Sequence, residues 1–222
     1  MIEYIDVSNI NFQNSIPKIS LDIEVSIWKK IKTQRKLQVN YGGRLSKHLA
    51  YFHNAPRYWV RSTGFAPYFW NERDGEKLST QMKILRFDSE NAAASVVAML
   101  NSSLFFWWFI VLSDCRHLNL REIDNYPLNI ASIQRATQTK LASLVEILMA
   151  DLQRNSRRKE AQYKTTGKVI YDEYYPRMSK DILDEIDQVL AQHYGFTDEE
   201  LDFIINYDIK YRMGDDLFTN EE

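Results

Sequence analysis

Four polar residues, Asp114, Arg116, His117 and Asn119, follow directly on the apolar run LFFWWFIVL from Leu104 to Leu112. A carboxylate three residues from an imidazole is the pairing used in general acid–base chemistry. No nucleophile stands beside it, so a hydrogen-bonded structural or DNA-contacting cluster is the better reading. Cys115 next to Arg116 has a cation that would favour its thiolate, although a lone cysteine is more often a small buried hydrophobe. Glu72, Asp74, Glu76 and Lys77 are the residue types of a carboxylate–lysine metal site. Their setting, NERDGEK, reads first as a charged turn around Gly75, and hard-metal sites need several converging oxygens that the sequence does not identify. The four histidines show no metal-ligand spacing.

Charge is divided along the chain. Between Lys29 and Arg86 there are 13 basic residues against three acidic, a net +10, whereas Tyr171–Glu222 carries −11 inside an overall balance of only −2. Such a split suggests a nucleic-acid face at one end and a solvated or docking surface at the other. The basic segment also carries aromatic residues, among them Trp28, Tyr41, Tyr58, Trp59, Tyr68 and Trp70. Lysines hold phosphates without reading sequence, while arginine and aromatic groups reach base edges. Lys29, Lys32, Lys36, Arg44, Lys47, Arg57, Trp59 and Arg61 are therefore the candidate DNA contacts. A solvated basic surface over an aromatic core is the competing reading.

These residues need supports. The spacing predicts a helix over residues 20–37 with Leu21, Trp28 and Ile31 inward and Lys29, Lys32 and Lys36 outward. Tyr41-Gly42-Gly43-Arg44 reads as a turn. PRYWVRS (Pro56–Ser62) and QMKILRF (Gln81–Phe87) read as strands, the first placing Arg57, Trp59 and Arg61 on one face. From Asn91 to Ser113 no residue is charged, a length that could cross a bilayer. Asn101-Ser102-Ser103 near its middle and a Ser89 cap favour instead a helix buried between layers. A helix over about Thr137–Asn155 follows, with Leu141, Leu144, Val145, Leu148 and Leu152 inward and a basic end at Arg154, Arg157, Arg158 and Lys159. Lys168–Tyr175 reads as a strand. Ser179 and Gly195 then bracket one helix, and Thr197-Asp198-Glu199-Glu200 is a capping box that starts another.

Two stretches resemble the C-terminal specificity regions of N6-adenine DNA methyltransferases of type II, and type IIG-like fused, restriction–modification systems. The first carries Asn101-Ser102-Ser103, Arg116-His117-Leu118-Asn119, Arg121-Glu122-Ile123 and Asn125-Tyr126-Pro127-Leu128; the second runs from Ser179 to Gly214. Together they cover about a third of the chain, and residues 1–90 carry little of the likeness. The resemblance implies a target-recognition region that reads short duplex DNA for a methyltransferase catalytic domain or subunit outside this chain, and it adds Arg116, His117 and Asn119 to the candidate contacts. The glycine loop for S-adenosylmethionine and the D/N-P-P-Y/F/W motif are absent. The expectation is thus a non-catalytic chain with no cofactor of its own, S-adenosylmethionine belonging to the complete enzyme.

The expected fold is α+β: a DNA-recognition domain over residues 1–130, with strands and a buried apolar helix, then a helical module over 131–222. A cytoplasmic protein is expected from the single cysteine and from an N-terminus, MIEYIDVSNI, that lacks the marks of a signal peptide. The rival reading is a protein-docking module of a restriction–modification complex.

Overall fold

The computed structural model describes residues 16–214; the MIEYIDVSNI segment and the acidic residues Asp215, Asp216, Glu221 and Glu222 lie outside them. The architecture is α+β, with two antiparallel sheets among the helices. Its centre is the apolar run, which forms two helices: α2 over Glu90–Asn101 and α3 over Ser103–Leu112. Ser89 caps α2, its hydroxyl accepting from the Ala92 N–H at 3.2 Å. At Ser102 the path bends by 64°. The serine ends α2 with an extended backbone and caps α3 through its hydroxyl, which accepts from the Phe105 N–H. Among the described residues no single helix is long and apolar enough to cross a membrane, although the bent pair passes by length and composition.

Nearly every side chain of α3 is buried, as expected of a helix apolar all round. The indoles find partners inside: Trp107 donates to Glu24 Oε1 at 2.9 Å, and Trp108 to the Glu122 carbonyl at 2.8 Å. Glu24 belongs to α1 (Asp22–Ile31), which is shorter than the sequence pattern suggested. The chain after Ile31 turns, makes a short 3-10 segment at Leu37–Asn40, and bridges Lys36 to Pro127.

The first sheet has the order β2-β1-β5, from β1 (His48–His53), β2 (Ser62–Thr63) and β5 (Met82–Phe87). It lies against α2, which is covered on its other side by α5 (Arg135–Arg154) and α6 (Lys180–Tyr194). The run is therefore a layer between layers, as its composition required. The strand expected over Pro56–Ser62 does not form. Only Ser62 and Thr63 pair with β1, and the segment from Asn54 to Val60 is irregular. Its alternation serves separate contacts: Pro56 and Val60 are buried, while the Trp59 indole reaches the C-terminal end of the described chain.

The second sheet has the order β4-β3-β7-β6, built from β3 (Phe69–Asn71), β4 (Gly75–Glu76), β6 (Arg157–Tyr163) and β7 (Gly167–Glu173). Trp70 pairs with Ile170, so this sheet joins the two halves that the sequence divides at residue 130. Residues 131–222 thus contain a hairpin besides their helices. The basic cluster expected at a helix end is mostly strand β6, with Arg157, Arg158 and Lys159 paired to β7. Between β3 and β4, Asn71 Oδ1 caps the turn by accepting from the Asp74 N–H at 2.7 Å, and the Asp74 carboxylate pairs with Arg73 and Lys77, as a charged turn should.

Of the expected C-terminal caps, Ser179 stands at the start of α6 but its hydroxyl donates to Asp151 Oδ2 at 2.7 Å and makes no cap bond; the others form. Gly195 ends α6 at φ 68°, a conformation that favours glycine. Thr197 opens α7 (Asp198–Ile205) with a complete capping box, and α8 (Ile209–Met213) closes the described chain. The turn expected at Tyr41–Arg44 forms instead at Gly43–Ser46, where the Ser46 N–H donates to the Gly43 carbonyl at 2.9 Å, and neither Gly42 nor Gly43 needs a positive φ; of the two glycines only Gly42 is constrained. An added Cβ there would stand 2.6 Å from the Phe87 carbonyl carbon and 2.8 Å from the Asp88 nitrogen, whereas Gly43 faces open space. Gly42→Ala is expected to cost about 1–3 kcal/mol in urea unfolding and Gly43→Ala almost nothing; equal losses would refute this account of the turn.

Candidate functional site

A cleft of about 970 Å³ opens where the two sheets meet. The end of the first sheet supplies His53 and Met82, the loop after it Arg57, Trp59 and Arg61, and the second sheet Tyr171, Asp172 and Glu173. Tyr174–Arg177 form one rim and Tyr211–Gly214 another. The lining is thus rich in arginine and tyrosine.

Arg61 is the central cation. Its guanidinium lies 5.3 Å from the ring centroid of Tyr174. Its Nε is buried without a hydrogen-bond partner. Burial holds the Arg61 pKa below its usual value. His53 is likewise held below the ordinary imidazole value, first by burial and then by the nearby Arg61 charge, so the neutral ring is favoured there. The cleft's carboxylates are already engaged: Asp172 is gripped by Arg158 through two nitrogens, and Glu173 accepts from the Tyr175 hydroxyl and pairs with Lys159 at 3.5 Å. The Tyr175 bond comes first among the causes that lower the Glu173 pKa.

Trp59 does double duty. Its indole N–H donates to the Arg212 carbonyl at 3.0 Å, and its ring carries the Arg212 guanidinium at 4.0 Å. Arg212 then reaches inward to the Ser103 hydroxyl at 3.0 Å. The candidate base reader is therefore also the brace of α8. Arg57, Trp59 and Arg61 do meet in the cleft, but from an irregular loop and not from one strand face.

The other predicted contacts lie apart. Arg44 and Lys47 are exposed before the start of β1, and six strand residues, roughly 17–20 Å, separate them from the His53 end that borders the cleft. Lys29 and Lys32 are exposed on and just after α1, and Lys36 is exposed at its bridge to Pro127. The polar cluster is a built turn. Asp114 Oδ1 accepts from the N–H groups of Arg116 and His117 at 2.9 and 2.8 Å, which draws its pKa down to about 2. Asn119 caps α4 (Leu120–Asp124) in a capping box with Glu122. Arg116, His117 and Asn119 are all exposed, and the Leu118 N–H between them donates to the Asn54 carbonyl near the His53 end of β1. Cys115, expected to be buried, is exposed at φ 59°, with the Lys18 ammonium 3.2 Å from its sulfur.

The geometry leaves an aromatic, arginine-lined cleft as the candidate site, with the exposed lysines lying apart from it. No protein-family model, curated protein or solved structure matches this chain. Among the described residues no group of three or more His, Cys, Asp and Glu is arranged to hold a metal ion. Sequence reasoning missed Tyr171, Tyr174, Tyr175, Arg177, Tyr211 and Arg212. The run YDEYYPR (Tyr171–Arg177), dense in rings and ending in a cation, was the signal available for most of them.

Proposed function

We propose that this chain is the DNA-reading region of a cytoplasmic restriction–modification N6-adenine methyltransferase, acting for a catalytic domain that lies outside it and binds S-adenosylmethionine. The observation that carries this reading is the cleft, where Arg57 and Arg61 stand among tyrosines whose nearby carboxylates are already paired. Arginine forks suit guanine edges and phosphates, and tyrosine rings suit exposed bases. The exposed lysines Lys29, Lys32, Lys36 and Lys47 would add sequence-independent attraction to phosphates.

The residues that resemble the methyltransferase family bear on this at the level of the scaffold. Asn101, Ser102, Glu122 and Tyr126 are buried joints, so their recurrence fits a shared framework on which the reading residues vary. A docking role is favoured at one place: Asp181, Glu185, Asp198, Glu199 and Asp202 are exposed on α6 and α7, an acidic surface suited to a cationic partner domain.

The test is duplex binding across a salt series. The Arg57→Ala, Arg61→Ala double variant is expected to bind more weakly and to show a salt slope shallower by about one for each phosphate that the two arginines no longer neutralise. Unchanged affinity together with an unchanged slope would refute the assignment of this face to DNA.

A further inference from the structure

Among the described residues Arg61 makes no ion pair, and the Glu173 charge acts on it only across the cleft. A buried guanidinium normally has an ion pair or several hydrogen bonds, because an isolated buried charge is costly. Here no hydrogen bond or ion pair to that guanidinium forms among the described residues; its ring contact is Tyr174 and its Nε is buried and unpartnered. The two acids that line the same cleft cannot serve it without abandoning Arg158, Lys159 and Tyr175. The buried, unpartnered Nε leaves this guanidinium short of an acceptor, and an arginine fork matches the oxygens of a phosphate.

The rest of the cleft indicates what the phosphate is attached to. Inorganic phosphate would leave most of about 970 Å³ empty, a volume near the top of the range of small-ligand sites, roughly 300–1,000 Å³. Around it, Tyr58, Tyr163 and Tyr211 line the cleft with exposures of 52, 52 and 63 %. Trp59 and Tyr68, by contrast, have a face covered by Arg212 and Arg158. Exposed rings that share a cleft with a guanidinium lacking an acceptor are the two halves of a site for a base and its phosphate.

We propose that the cleft is a nucleotide-binding site, in which Arg61 takes the phosphate and the exposed tyrosine rings take the base. The nucleotide comes either as a free monophosphate or as a single unpaired residue of a strand. The proposal goes beyond the reading of duplex DNA, since neither source is a paired base.

Calorimetric titration of the full chain separates these cases. The probes are deoxyadenosine and deoxycytidine 5′-monophosphates, unphosphorylated deoxyadenosine, and two duplexes of equal length, one fully paired and one with a single unpaired nucleotide. A free-nucleotide site gives about tenfold tighter binding of the monophosphates than of the nucleoside. A strand-borne source gives about tenfold preference for the duplex with the unpaired residue. In either case Arg61→Gln abolishes the preference, and Tyr58→Ala weakens nucleotide binding about tenfold, the exposed Tyr58 ring serving as the check should Arg61→Gln not fold. No monophosphate binding together with equal affinity for the two duplexes overturns the site, as does a preference that survives Arg61→Gln or a nucleotide affinity unchanged by Tyr58→Ala. Binding of the paired duplex without either preference upholds DNA reading alone and overturns the nucleotide site. Monophosphate binding without duplex binding does the reverse.

Discussion

Asp187→Ala is expected to lower the unfolding free energy by about 3–5 kcal/mol, the loss typical when one member of a buried charged network is removed. The Asp187 carboxylate, projecting from α6 into the core, accepts from the Ser103 N–H at 3.1 Å and the Leu104 N–H at 3.2 Å. It thereby satisfies the first turn of α3, whose donors have no partner within the helix. It also faces the Arg212 charge across the Ser103 hydroxyl. Alanine would leave two N–H groups and a guanidinium less satisfied in a buried region. Chemical unfolding measures this directly, and a loss below about 1 kcal/mol would mean that the bend at Ser102 does not depend on the carboxylate.

The same residue gives a pH signature. Burial raises the Asp187 pKa from 3.8 to about 6, with the hydrogen bonds from Ser103 and Leu104 opposing the rise. A carboxyl that holds its proton more tightly when folded contributes stability that is present below its unfolded pKa and lost as pH climbs through the folded one. The window here is from about pH 4 to pH 6. Across that window wild-type stability should fall relative to Asp187→Asn, which cannot ionise. Parallel stability–pH curves for the two proteins would refute the assignment.

The second large effect is expected at Asn101. Its side chain accepts from the Ser62 N–H at 3.1 Å and donates to the Ser62 carbonyl at 2.8 Å, stitching the end of α2 to β2. A second donor contact goes to the Val97 carbonyl at 2.7 Å. Asn101→Leu keeps comparable bulk but orphans both buried backbone groups of Ser62, at about 1–3 kcal/mol each. Asn101→Asp should be as harmful, since it removes the donors and introduces a charge. Thermal and urea unfolding of both variants check this; stability within about 0.5 kcal/mol of wild type would show that Ser62 finds other partners.

Legibility from sequence followed the range of the interactions. The stripe of Leu141, Leu144, Val145, Leu148 and Leu152 on α5 and the caps at Ser89, Gly195 and Thr197 are local, and they marked their helices correctly. The Asn101-Ser102-Ser103 run was seen as polar but not as a corner, because its partners Ser62, Asp187 and Arg212 are remote in the chain. Strand β6, RRKEAQY, has almost no apolar residue; as an edge strand it is fixed by its ladder to β7 and not by burial. PRYWVRS misled for the opposite reason, since its alternation is real but the alternate residues face different partners. Arg57 and Arg61 could be singled out by type, yet the cleft around them gathers segments from His53 to Gly214. Such a gathering is invisible to periodicity.

The pairing of β3 with β7 sets an order of events during synthesis. Phe69 finds its partner only when Tyr171 has left the ribosome, roughly a hundred residues later, a delay of about 5–20 s at ordinary elongation rates of about 5–20 residues per second. Throughout that interval β3 has an open edge, and Tyr68 waits for Arg158 to cover its ring. The nascent chain thus carries a sticky, half-built sheet while the helices α2 and α3 are already emerging. The slower residues 69–171 are translated, the longer that edge stays open to pairing with a neighbouring copy.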